Sequence, residues 1–330
     1  MRLAKEMGER RIIELFLDSF AKELEGGGPP NDDVAAVGLG GGKAAILKCD
    51  MLVASTDVPP GMSFWQAGRK AAVSTVSDFA AKGVRPSALL VSVGIPKGMR
   101  EPELRDVALG LAAGAKEYGL KVVGGDTNEA KELVIDCVGF GVCEEGRLIL
   151  RSGAKPGDLL ASTGKFGAAP AGLRAILGGA RVPGELRREL AEAVYMPKAH
   201  LREGLALADS GAATASIDSS DGLAWSLYEL SKASGVGFLI KNLPIDAGAA
   251  RFAELAKLNP TDLALYGGEE FNLVVTVKRD RWRKAKGAVE AVGGTLYFLG
   301  EAIAGEGVFL TLPNGETVEV EPKGWEHLKK

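Results

Sequence analysis

Apolar runs that stop at acidic residues recur along this chain, and they constrain its fold more than any other feature. In Lys121-Val122-Val123-Gly124-Gly125-Asp126-Thr127-Asn128-Glu129 an apolar stretch meets two glycines and hands over to a carboxylate, a hydroxyl, an amide and a second carboxylate. That pattern reads as a strand delivering polar groups to a site. Glycines there let backbone come close to a ligand. A single stretch of this kind reads equally well as a tight turn with solvated side chains. Repetition shifts the balance: the run 44–50 ends in Asp50, the run 213–218 ends in Asp218 with Asp221 close behind, and Gly267-Gly268-Glu269-Glu270 again sets glycines before acids.

Between these runs the hydrophobic spacing predicts helices over residues 9–24, 63–83, 101–118, 183–194, 199–209, 223–234, 249–258 and 282–292. Strands are expected over 34–39, 44–50, 87–95, 133–143, 148–150, 159–163, 213–218, 236–240, 273–277, 295–299, 308–312 and 317–320. Gly26-Gly27-Gly28-Pro29-Pro30 breaks the first helix. Gly38-Leu39-Gly40-Gly41-Gly42-Lys43 fails as a dinucleotide fingerprint, because Lys43 stands at the third glycine and an apolar run follows, so a hairpin loop is expected. The turn-rich Arg151-Ser152-Gly153-Ala154-Lys155-Pro156-Gly157-Asp158 marks a junction. The fold class is therefore α/β (α+β), with one αβ domain over 1–150 and a second over 151–330, each long enough for its own core.

Charge and composition exclude several functions. A net charge of −3 argues against a general nucleic-acid binder, which displays a basic excess. No stretch approaches the ~20 apolar residues of a membrane span, and the N-terminus has no signal-peptide pattern. Three cysteines without metal-ligand spacing suit a reducing, cytoplasmic compartment. Two histidines are too few to favour zinc or a His-based triad, and His200 is expected at the surface or as a cap. Neither a P-loop nor protein-kinase elements occur.

Acids are abundant at the ends of elements: Asp32, Asp33, Asp50, Asp78 and Asp126 in the first half, Asp218, Asp221 and Glu269 in the second. Asp78 lies inside an alanine-rich helix, where it either faces solvent or points into a polar site. Asp218 and Asp221 lie near a helix N-terminus if Ser219 or Ser220 caps the helix that starts at Leu223. Hard oxygen donors in this number point to Mg²⁺, with phosphate chemistry as its natural use.

Six motifs then resemble the thiamine-monophosphate kinases: Asn31-Asp32-Asp33-Val34-Ala35, Ser77-Asp78-Phe79-Ala80-Ala81-Lys82-Gly83, Gly124-Gly125-Asp126-Thr127, the 151–158 junction, Ile217-Asp218-Ser219-Ser220-Asp221-Gly222-Leu223 and Gly267-Gly268-Glu269-Glu270-Phe271. Their order and spacing agree from the first helix to Gly324-Trp325. The wider superfamily includes aminoimidazole ribonucleotide synthetase, selenophosphate synthetase and the hydrogenase maturation ATPase. The resemblance implies a homodimer whose N-terminal sheets pair into a shared barrel, a C-terminal αβ sandwich domain, and ATP with several Mg²⁺ ions at the cleft between the halves. It places Mg²⁺ ligands on Asp33, Asp50, Asp78, Asp126, Asp218 and Asp221, and nucleotide contacts on Gly125, Asp126, Arg151 and Ser220. Contacts to the thiamine moiety fall on Glu269 and Trp325, and catalytic roles on Asp126, Asp218 and Asp221. The reaction implied is the last step of thiamine diphosphate biosynthesis, direct transfer from ATP to thiamine monophosphate.

The pattern departs at four places. Asn31 replaces a glycine, Lys48-Cys49 replace hydroxyl residues before Asp50, Asp57 stands at a histidine position and Ala108 at a tyrosine position. The alternatives are another ATP-using superfamily enzyme, of the aminoimidazole ribonucleotide synthetase kind, and a non-catalytic nucleotide-binding dimer.

Overall fold

The computed structural model describes residues 3–20, 32–178 and 180–328. The expected break at Gly26-Gly27-Gly28-Pro29-Pro30 and Asn31 of the first acidic motif lie outside these residues, as does the end of the first helix, seen as Glu9–Phe20.

The first sheet is made of β1 (Ala35–Gly40), β2 (Lys43–Val53), β3 (Pro86–Ile95), β4 (Lys121–Glu129) and β5 (Val134–Glu144), in the order β1-β2-β5-β3-β4. β1 and β2 form the expected hairpin, and only β3 and β4 run parallel. Because side chains alternate along a strand, Ile46, Lys48, Asp50 and Leu52 share one face of β2 with Cys137 and Ile135 of β5 opposite. That face is covered by the helices Phe64–Ala81 and Glu101–Glu117.

The first of these helices begins with a capping box, Ser63 Oγ accepting from Gln66 N at 3.2 Å and Gln66 Oε1 accepting from Ser63 N at 2.9 Å. Small residues let the pair approach closely. A Cβ on Gly110 would lie 1.9 Å from the Trp65 carbonyl oxygen, and one on Gly68 would lie 2.3 Å from that of Val107. Gly139 on β5 leaves room in the same way for the Phe79 ring, 2.5 Å from where its Cβ would be.

The second sheet comprises β6 (Leu159–Ser162), β7 (Ala213–Asp218), β8 (Gly237–Ile240), β9 (Leu273–Val277), β10 (Tyr297–Ile303), β11 (Val308–Thr311) and β12 (Thr317–Glu319). Their order is β12-β11-β8-β10-β6-β9-β7. β9 is buried along its whole length, as a strand covered on both faces must be. One layer packs the helix Leu223–Ser234 on Phe238 and Leu299; another packs Leu207 and Val289 on Val275 and Val277. The two halves meet along the helix Phe64–Ala81, where a Cβ on Gly204 would come within 2.0 Å of the Ala80 carbonyl oxygen.

Four segments differ from the sequence expectation. β4 does not stop at Gly124-Gly125 but runs on to Glu129, absorbing the polar residues into the strand. The apolar 148–150 segment joins no ladder among the described residues, and two backbone bonds hold it: Ile149 N to the Lys82 carbonyl, and Ser216 N to the Leu150 carbonyl. Ala168–Ile176 and Pro260–Tyr266 are helices where no helix was expected, since glycine, alanine and proline blur the helical period.

Candidate active site

The acidic motifs converge at the seam between the halves. Asp33 follows the N-terminal segment, Asp78 projects from the helix Phe64–Ala81 and Asp218 ends β7; all three are buried. Each offers a carboxylate oxygen within 4.8 Å of the others. The donors are hard oxygens without nitrogen or sulfur, which is the set that suits Mg²⁺.

Basic and hydroxyl groups hold these acids in place. Lys82 Nζ lies 2.6 Å from Asp32 Oδ1, 2.8 Å from Asp33 Oδ2 and 2.7 Å from the Ser216 carbonyl oxygen. Arg151 donates from Nε to Asp33 Oδ1 at 2.8 Å. Asp32 accepts from the backbone N–H groups of Asp33 and Arg151, at 2.8 and 2.9 Å, so it acts as a staple between the motif and the junction. Lys48 Nζ sits 2.9 Å from Asp78 Oδ1, and Ser77 Oγ donates to Asp218 Oδ2 at 2.7 Å.

Electrostatics separates the cluster into two parts. Burial favours the neutral form of Asp33, but Lys82 and Arg151 outweigh it and hold the carboxyl below its ordinary value. Burial pushes Asp78 well up despite Lys48, and Asp218 adds to the rise. Burial and the charge of Asp33 push Asp218 up to about 6. On the Asp78 and Asp218 side, burial and the neighbouring acids thus outweigh the cation that faces them.

Beside the cluster opens a cavity of about 670 Å³ lined by Asp50, Asp57, Lys70, Ser220, Asp221, Glu269 and Trp325. Glu269 is held at φ +69° while its N–H donates to the Ser220 carbonyl at 2.6 Å, which brings the glycine-acid motif against the Asp221 turn. Lys70 Nζ lies 2.5 Å from Glu269 Oε2 and donates to the Asp57 carbonyl at 3.0 Å. Trp325 N donates to the Asp221 carbonyl at 2.9 Å, and its half-exposed ring stands at the cavity wall. A smaller cavity, about 220 Å³, is shared by Arg151, Asp218, Ser220, Asp221 and Trp225. The helix Glu9–Phe20 roofs it through Arg10, whose guanidinium lies 3.7 Å over the Trp225 ring and pairs with Glu229.

Gly125 and Asp126 are placed differently from the rest. Gly125 packs on β3, where a Cβ would lie 1.8 Å from the Val91 carbonyl oxygen. Asp126 is exposed on the edge strand β4, in a row with Ser92, Asp136 and Met51. That row points away from the face that carries Asp50, and three strand spacings, roughly 14 Å, separate β4 from β2. Within one chain Asp126 thus stands outside the cluster. Sequence reasoning did not single out Lys48, Lys70, Ser77 and Lys82 as site residues. The motif spelling did carry a signal for two of them, since Ser77 precedes Asp78 and Lys82 follows it by one helical turn.

Two domains that match the AIR synthase related protein N-terminal domain, over residues 31–143, and its C-terminal domain, over 155–313, define a member of that superfamily. Within it the chain belongs to the thiamine-monophosphate kinases. It is 37% identical over 325 residues to the thiamine-monophosphate kinase of Pyrococcus abyssi, covering 98% of this chain and 96% of that one. A solved structure of AaThiL complexed with AMPPCP and TMP superposes with a TM-score of 0.86 at 29% identity, covering 99% of both chains. Thiamine monophosphate kinase from Aquifex aeolicus superposes with a TM-score of 0.82 at 27% identity, covering 97% of this chain and 100% of that one.

Proposed function

We propose that this protein phosphorylates thiamine monophosphate to thiamine diphosphate at the expense of ATP, by direct in-line transfer at the seam between its halves. One observation carries the reading: the buried Asp33, Asp78 and Asp218 lie beside a cavity lined by Ser220, Asp221, Glu269 and Trp325. The structure of the relative with AMPPCP and TMP supports it, since a phosphate donor analogue and TMP bind together on the same fold.

Mg²⁺ held by Asp33, Asp50, Asp78, Asp218 and Asp221 would neutralise phosphate oxygens and the charge that builds as the phosphoryl group moves. Arg151, Ser220 and Gly125 serve the nucleotide in this reading. Glu269 faces the cationic thiamine moiety with a carboxylate, and the exposed Trp325 ring gives its aromatic rings a stacking surface. The acceptor phosphate is already ionised at neutral pH, so no general base is required and the carboxylates position and bind. Trp325 and the helix Glu9–Phe20 narrow the access of water to the transferring group.

A homodimer completes the reading. Val37, Met51, Leu90, Phe140 and Val142 stand exposed on the side of the first sheet that no helix among the described residues covers. An apolar sheet face of this extent favours a partner, and a second copy would close the two sheets into a barrel. Asp126 lies on that face, so we assign its role to the site completed across the pair. We place the domain boundary at residues 150 and 151, in the segment between Glu144, the end of the first sheet, and Leu159, the start of the second. Three free thiols suit a cytoplasmic setting.

The test is to incubate the purified protein with ATP, Mg²⁺ and either thiamine or thiamine monophosphate, and to weigh the products. Thiamine diphosphate formed from the monophosphate alone is the expected result; ATP binding without ADP release refutes the reading.

A further inference from the structure

Three cations stand against the buried acids, and they are held in different ways. Lys82, fully buried, places its ammonium on three acceptors: Asp32, Asp33 and the Ser216 carbonyl. An ammonium has three N–H donors, so Lys82 is wholly committed. Arg151 is committed through Nε to Asp33 and lies 3.7 Å from Glu229 through Nη1. Both therefore serve the Asp32 and Asp33 side. Lys48 makes one close contact among the described residues, 2.9 Å to Asp78 Oδ1, and its side chain keeps 22% of its exposure.

Among the described residues no other cation makes a close contact with Asp78 or Asp218. Asp218 receives the Ser77 hydroxyl, a neutral donor. Lys48 reaches this side because β2 alternates: it lies on the inward face between Ile46 and Asp50, with Gly139 opposite on β5. Its ammonium thus lies against the Asp78 carboxylate, on the same strand face as Asp50. A lysine in that place cannot be diluted away or exchanged.

We infer that the Lys48 ammonium is a built-in cation of the acid cluster, occupying on Asp78 a position that a divalent ion would otherwise take. The protein accordingly binds one divalent ion fewer than its carboxylates alone would recruit. The inference rests on the phosphoryl-transfer reading only for the choice of Mg²⁺ as the physiological ion.

Mn²⁺ is the probe, its free concentration followed by electron paramagnetic resonance during titration of the full-length protein. Lys48→Met removes the charge at similar length, and Lys48→Arg keeps it. Lys48→Met is expected to bind one more Mn²⁺ per chain than the wild type, and Lys48→Arg the wild-type number. Equal numbers in all three proteins, or fewer in Lys48→Met, overturn the inference.

Anomalous scattering from wild-type crystals grown with Mn²⁺ gives a readout that no variant's folding can spoil. Lys48 Nζ should remain on Asp78 Oδ1; a manganese ion bound to that oxygen with Lys48 displaced overturns the inference. Both measurements report binding alone. A protein that behaves as expected in them and still fails to phosphorylate thiamine monophosphate would sink the functional reading and leave this one standing.

Discussion

The Ser77 hydroxyl donates a 2.7 Å hydrogen bond to Asp218 Oδ2, across 141 residues of sequence. Ser77 belongs to the helix that packs on the first sheet, and Asp218 ends an edge strand of the second. The buried acids thus come together only when the two halves dock. Stability of the seam and competence of the site are for this reason coupled, and they pull in opposite directions: acids that gather for a cation repel one another without it.

Asp218→Asn separates these two demands. The amide keeps the Ser77 contact and removes one buried negative charge beside Asp33 and Asp78. In EDTA the variant should melt above the wild type, by a gain on the order of 1 kcal/mol. Turnover should fall at least about 100-fold, equivalent to ~2.7 kcal/mol of transition-state stabilisation. Thermal scans with EDTA and steady-state rates at saturating Mg²⁺ check the pair of effects. A variant that melts lower and turns over normally would contradict the placement of Asp218 in the site.

Gly110→Ala tests the helix pair beneath the first sheet. A Cβ there would lie 1.9 Å from the Trp65 carbonyl oxygen, and backbone cannot yield as the tip of a side chain can. The helices must separate, loosening Val107 and Leu111 from the core. A loss of about 2–4 kcal/mol is expected, measured by urea unfolding. Gly119→Ala is the control for the loss of a glycine at φ +75°, where no atom lies within 4 Å. It should cost about 1 kcal/mol.

Leu90→Arg addresses the uncovered sheet face. Leu90 stands 48% exposed at the centre of the row that includes Val138 and Cys49. In a single chain an arginine there is solvated, and the folded state should tolerate it within about 0.5 kcal/mol. Against a second copy it buries unpaired charge. Light scattering on a sizing column should give a dimer for the wild type and a monomer for the variant. Turnover should fall with dissociation if Asp126 acts across the pair; a variant that remains dimeric would refute this face as the interface.

How much of this was legible in the sequence depends on the range over which the information acts. β9 was readable to the residue, because its apolar run is bounded by Asn272 and Lys278. Asp33, Asp78 and Asp218 were readable as candidates, each marked by its place at a strand or in a packed helix. What holds them was not. Lys82 meets Asp32 and Lys48 meets Asp78 through space, and no local period records such pairings. The side of the sheet on which Asp126 falls also escaped notice. The glycines expected where the strand meets its site prove to lie inside the strand with a register shift beside them, and alternation then sets the face. Residues 148–150 show the converse error, since an apolar tripeptide becomes a strand only where a neighbour offers a ladder.

Glu270 follows Glu269 in the same motif and does a different job. Its Oε1 accepts from Gly167 N at 2.6 Å and from Ala169 N at 3.4 Å, at the N-terminus of the helix Ala168–Ile176. Burial pushes its carboxyl up to about 8, outweighing the N–H groups that favour its charge. In the unfolded chain a glutamate ionises near pH 4.3, at about its ordinary value. Between that value and about 8 the native state therefore holds a proton that the unfolded state has released. By linkage, stability falls as pH rises through this window, by at most about 1.4 kcal/mol per pH unit for one proton, and levels off above it. Glu270→Gln keeps an oxygen for Gly167 N–H and cannot ionise. The melting temperature of the variant minus that of the wild type should accordingly climb from pH 5 to pH 8 and then stay constant, all other titrations cancelling in the difference. A flat difference across that range would mean that the helix N–H groups keep Glu270 ionised in spite of its burial.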